Sequence, residues 1–83
     1  MNRWWDHAVA RAIGSRIRSE RRRAGLTQAQ LAERIGTYRP IVARVEKGRH
    51  RQSLRTLRAY ARALDVPVAY LAEPLDYLQR WAG

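Results

Sequence analysis

The chain has 83 residues, no cysteine, and a formal charge of +10 from 17 Lys and Arg against 7 Asp and Glu. A chain of this length holds one small domain around a single core, and without thiols it can form neither disulfides nor thiolate metal sites. No run of eighteen apolar residues marks a membrane span, and MNRWWDH lacks the apolar stretch of a signal peptide, so a soluble cytoplasmic protein is expected. The charge points to a polyanionic partner, because such a field concentrates phosphates. Sixteen of the bases are Arg, whose fork pairs bidentately with phosphate and guanine edges; compositional bias of the source genome accounts for the preference equally well.

With 46% apolar residues the chain is expected to fold, and its periodicity is helical throughout. Trp5, Val9, Ile13 and Ile17 recur every fourth position, with Ala8 and Ala12 beside them, which predicts a helix over 3–24 capped by Asn2 and ended by Gly25. Thr27 and Gln30 form a capping box and Leu26 can staple to Leu31, predicting a helix over 28–35 stopped by Gly36. The next segment, GTYRPIVARVEKG, predicts a helix over 39–47 ended by Gly48. Its start is irregular: Tyr38 stands where a small capping hydroxyl is expected, so either Thr37 caps one residue early or the cap is lost. Pro40 is tolerated in the first turn but pushes Arg39 away from helical angles. After the basic loop RHRQ, Ser53 caps a helix carrying Leu54, Leu57, Ala61 and Leu64, which stops before Pro67. VAYLA predicts a short helix, Pro74 a break, and LDYLQRWA a last helix of two turns. The expected architecture is all-α, five or six short helices in a single domain over 1–83.

Two helices about three residues apart with Gly at the bend form a helix-turn-helix over 28–47. Ala32 is small where the helices cross, Gly36 can turn the chain, and Leu31, Ile35, Val42 and Val45 are apolar where the pair faces the core. On the last of these helices positions 39, 40, 43, 44 and 47 share the face opposite Val42 and Val45. That face reads Arg, Pro, Ala, Arg, Lys. Between 39 and 62 there are eight bases (Arg39, Arg44, Lys47, Arg49, Arg51, Arg55, Arg58, Arg62) against one acid, Glu46.

From Ile13 to Ala72 the chain resembles the Cro and phage-repressor type helix-turn-helix proteins, the XRE family, through IGSRIRSERRRAGLTQAQLAERIG, VARVEKG and SLRTLRAYARALDV. The resemblance leaves extensions at 1–12 and 73–83. It implies a lambda-repressor-like domain that binds double-stranded DNA, usually as a homodimer on a palindromic operator, and that mostly represses transcription. It implies base reading by Arg39, Pro40 and Arg44, with Pro40 limited to an apolar contact such as a thymine methyl. It implies phosphate contact at Gln28 and in the loop carrying Lys47, Arg49, His50 and Arg51, and a buried salt bridge between Arg21 and Glu46. Tyr38 could reach a phosphate beside them.

Neither catalysis nor a cofactor is expected. His7 and His50 lie far apart with no metal-binding partner motif, no serine sits in a nucleophile-base pattern, and there is no Gly-rich phosphate loop. The aromatics of the terminal regions, Trp4, Trp5, Tyr70, Tyr77 and Trp81, with Leu78 beside them, either complete a small core or build a dimer interface. A two-fold dimer would set its reading helices about 34 Å apart, one turn of DNA. The rival expectation is a module of the same fold whose main partner is a toxin or another protein. At this length no ligand-sensing domain is expected.

Overall fold

A computed structural model describes residues 6–82, with side chains as far as Asp76. It has five helices: α1 His7–Arg23, α2 Gln28–Ile35, α3 Arg39–Glu46, α4 Leu54–Leu64 and α5 Val68–Ala82. The inward stripes meet in one core, where Ile13 and Ile17 of α1, Leu31 of α2, Val42 and Val45 of α3, Leu57 and Tyr60 of α4 and Leu71 of α5 are buried essentially completely. Each such side chain contributes up to about 1.5–3 kcal/mol of burial free energy.

The expected helix over 3–24 is cut short at its start. Asp6 is extended (φ −72°, ψ 148°), and its carboxylate accepts the Ala8 N–H at 2.7 Å, capping α1. Asn2 and Trp5 lie outside the described residues. At the other end Ala24 is the C-cap, and Gly25 and Leu26 donate back to the carbonyls of Arg22 and Arg21. The local signals further on match what the structure contains. Thr27 and Gln30 form both bonds of the capping box, and Ser53 Oγ accepts the Thr56 N–H at 3.1 Å.

Pro74 does not break the chain: α5 runs through it. A proline inside a helix removes the hydrogen bond to the carbonyl four residues earlier, here that of Tyr70. Arg16 of α1 supplies the missing donor, its Nη1 lying 2.8 Å from the Tyr70 oxygen. The same guanidinium pairs with Glu73 at 2.7 Å and stacks over the Tyr70 ring at 4.7 Å. The proline's usual penalty is offset by a side chain from the far end of the sequence.

α3 crosses α1 at close range. Gly14 sits so close that an added methyl would lie 2.7 Å from the Glu46 carbonyl oxygen and nearer still to that of Val45. No helix among the described residues is long and apolar enough to cross a membrane.

Candidate nucleic-acid interface

The turn between α2 and α3 depends on a left-handed residue. Gly36 takes φ 74°, which lets the Thr37 N–H reach back to the Ala32 carbonyl at 2.9 Å and close α2. Thr37 is thus committed to the preceding helix. Tyr38 occupies the N-cap of α3 with extended angles, its side chain makes no capping bond, and it is 77% exposed. Of the two expected outcomes, the side-chain cap is lost. Arg39 opens the helix and Pro40 follows, among the first-turn positions whose amides have no helical acceptor. The proline ahead of it does not keep Arg39 out of the helix.

α3 buries Val42, Val45 and Glu46 and exposes Arg39, Pro40, Arg44 and Lys47, with Ala43 half-buried between them. Glu46 is turned inward and paired. Its carboxylate takes Arg21 Nε at 2.6 Å and Nη2 at 3.1 Å, a bidentate bridge with both side chains at or below 10% exposure. Arg21 Nη1 also donates to the Leu26 carbonyl at 2.8 Å, tying the end of α1 to the start of the helix-turn-helix. A buried pair of this kind adds little over an apolar replacement, but loss of one partner leaves an uncompensated charge.

Gln28, expected to touch phosphate, has both ends of its amide engaged within the molecule. Nε2 donates to Glu46 Oε1 at 3.1 Å, and Oε1 accepts from Arg39 Nη1 at 3.3 Å. A continuous polar chain therefore runs from buried Arg21 through Glu46 and Gln28 to exposed Arg39, joining the first and last residues of α3 through α2. This connection has no signature in the sequence, because it depends on which way one glutamine rotamer points.

After α3 the loop turns on Gly48 (φ 71°), which packs against the backbone of α1: an added methyl would lie 2.7 Å from both the N and the Cα of Arg11. Arg49 and Arg51 are exposed, whereas Gln52 is 3% exposed. His50 is half-buried and lines a cleft along α3 with Thr37, Ile41, Arg55 and Thr56. Arg55, Arg58 and Arg62 are exposed along α4. Among the described residues none of the eight bases from Arg39 to Arg62 is in an ion pair, and the one acid between them is neutralised inside the protein. The outer surface of this segment is therefore uniformly positive.

Buried Tyr60 and Gln52 are not singled out by the sequence pattern. Neither the Tyr60 hydroxyl nor Gln52 Oε1 has a hydrogen-bond partner among the described residues. Burial first, and the nearby Glu46 carboxylate second, push the Tyr60 hydroxyl up to about 12. Of the terminal aromatics, Tyr70 lies beneath the Arg16 guanidinium and is partly exposed. Trp4 and Trp5, and the side chains of Tyr77, Leu78 and Trp81, lie outside the described residues.

Comparison with known proteins gives the same segment a context. A helix-turn-helix family model matches residues 17–71. An immunity repressor protein of Bacillus phage phi105 is 42% identical over 57 residues, which are 69% of this chain and 40% of that protein. An HTH-type transcriptional regulator of Methanothermobacter thermautotrophicus is 48% identical over 48 residues, 58% of this chain and 70% of that one. The chain thus spans well under half of the phage repressor and most of the archaeal regulator. Among solved structures, the restriction-modification controller protein C.AhdI from Aeromonas hydrophila superposes with a TM-score of 0.74 at 35% identity, covering 78% of this chain and 94% of that one.

Proposed function

We propose a sequence-reading role in transcription, from the premise that the chain belongs to the XRE-type helix-turn-helix family of DNA-binding transcriptional regulators. In this reading α3 enters the major groove of duplex DNA. Arg44 forks onto the O6 and N7 of a guanine, worth about 1–3 kcal/mol of discrimination for a good bidentate pair. Arg39, steadied by Gln28, reads the neighbouring edge or holds the phosphate beside it. Pro40 has no donor and contributes an apolar contact, such as one to a thymine methyl. Tyr38, Lys47, Arg49 and Arg51 hold the sugar-phosphate backbone, which positions the protein without reading sequence.

The observation that carries this reading is the inward turn of Glu46. The acid at the end of α3 is removed from the surface by Arg21, so the face offered to a polyanion carries only Arg, Lys and small or apolar groups. We further propose a homodimer on a palindromic operator, working as a repressor in the cytoplasm. The name of the similar phage protein, an immunity repressor, supports the sign of regulation, and the controller protein and the regulator support the class.

Selection of bound sites from random duplex DNA tests the whole reading at once. The expected result is a symmetric pair of short half-sites centred about 34 Å apart. A pool that enriches no common sequence would sink sequence-specific reading, and a single unpaired half-site would sink the two-fold dimer.

A further inference from the structure

Along α1 the positions Arg11, Ser15, Arg18 and Arg22 recur at intervals of four, three and four, which is one helical stripe. It lies opposite Val9, Ile13 and Ile17, which are buried, and all four of its residues are exposed. None of its three guanidinia is in an ion pair among the described residues, since Glu20 pairs with Arg23 and Asp6 caps the helix. Like charges four apart, as in Arg18 and Arg22, weaken an isolated helix, and an anion lying on the stripe removes that repulsion.

The stripe begins at the edge of the face assigned to DNA. Gly48 rests directly on the backbone of Arg11, and Gly14 rests on the carbonyls of Val45 and Glu46. These close approaches bring the start of α1 against the loop that carries Lys47, Arg49 and Arg51. From Arg11 to Arg22 the helix rises about 16 Å, the length of about five phosphate steps along one strand. The matched family segment begins at residue 17, so Arg11 lies outside it.

We propose that the outer face of α1 is a second phosphate-binding surface, continuous with the loop after α3, which holds duplex flanking the site that α3 reads. The proposal rests on the DNA-reading role proposed above and adds a partner surface to it. Arg11 makes the junction, Arg18 and Arg22 extend the contact, and the short side chains of Ser15 and Ser19 leave room for the sugar-phosphate backbone to lie close. The contact reads no bases. It lengthens the protected duplex and makes binding steeper in salt.

The test is fluorescence anisotropy of the full chain across a salt series, on a duplex ending at the selected site and on the same site with about five added base pairs on each side. Wild type is expected to bind the longer duplex more tightly and with a steeper salt slope. The R11Q/R18Q/R22Q protein should lose that gain, with a slope shallower by about 0.9 for each phosphate that is no longer neutralised, while keeping its preference for the site over a scrambled sequence. The R11K/R18K/R22K protein retains charge and should keep the gain; its melting temperature and that of the glutamine triple confirm that both remain folded. Equal gains in wild type and the glutamine triple would overturn the proposal, as would a weakening that is the same on both duplexes. Wild type that prefers the site but ignores the flanks removes this surface and leaves the reading by α3 standing. Wild type that shows no preference for the site overturns both.

Discussion

Arg44 projects from the middle of the exposed face of α3, with Pro40 one turn before it and no ion-pair partner among the described residues. Arg44→Ala is expected to relax base preference at one position of the half-site by about 1–3 kcal/mol, whereas Arg51→Ala should weaken all sequences alike. Binding titrations against single-base variants of the selected site separate the two, and an Arg44→Ala protein with unchanged preferences would remove this residue from the reading. Tyr60 is a residue of the opposite kind, buried and without a hydrogen-bond partner among the described residues. Its hydroxyl is raised from the ordinary 10.0 to about 12, so the folded state favours the neutral form. The contribution of this hydroxyl to stability is therefore constant below about pH 10 and falls as pH rises from there towards 12, by roughly 2 kcal/mol at the far end. Tyr60→Phe should flatten that alkaline limb and leave stability at pH 7 unchanged or slightly raised, because no bond is broken and a desolvated hydroxyl is removed. Urea melts at pH 7 and pH 11 measure both effects. Arg44 is legible in the sequence because exposure on a short helix follows from its period. The inward bonds of Gln28 are not, because a polar side chain at a helix start has several partners in reach and only packing selects one.

Beyond the shared apolar core, α1 and α3 are fitted to each other by two devices of different chemistry. At the α1–α3 crossing the device is the absence of a side chain: Gly14→Ala should destabilise the protein by about 1–3 kcal/mol or more, despite the higher helix propensity of alanine, because the methyl meets backbone carbonyls that cannot rotate away. Chemical denaturation checks this, and a neutral or stabilising result would mean that α1 can slide at little cost. At the end of α3 the device is the Arg21–Glu46 bridge. Arg21→Ala or Glu46→Ala alone should cost about 3–5 kcal/mol, while an Arg21→Met, Glu46→Leu pair should cost much less than the sum of the singles. A double-mutant cycle with no coupling would show that the bridge is idle. The caps at Thr27 and Ser53 are legible because donor and acceptor lie within three residues of each other. The apolar pattern places the start of α1 four residues too early, since Asn2 and Asp6 are both capping residues four apart on the same stripe and the pattern fits either. A break at Pro74 is the wrong reading because the rule that proline ends a helix is local, and here the relief comes from Arg16.

For the whole molecule, the fold and the class of partner are legible together. Five short apolar stripes need each other to be buried, and the excess of bases must then lie outside. What composition does not contain is the sorting of the few acids: Glu46 is drawn into the core, Glu73 holds Arg16 and Glu20 holds Arg23, so the segment from Arg39 to Arg62 is left without an outward negative charge. The Arg16 contacts also bear on how the protein opens. A guanidinium carried by α1 bonds the Tyr70 carbonyl that Pro74 leaves free, so α1 and α5 are expected to open together in native-state hydrogen exchange. Arg16→Ala should raise the exchange rates of α5 amides beyond Pro74 about tenfold or more, as expected for loss of a charged hydrogen bond, while leaving the protection of α2 and α3 unchanged. Uniform acceleration in every helix would instead mean that the contact stabilises only the molecule as a whole. An excursion that releases α5 then also frees Arg16, and any second chain that packs on α5 would lower the frequency of openings at the far end of the sequence without touching it.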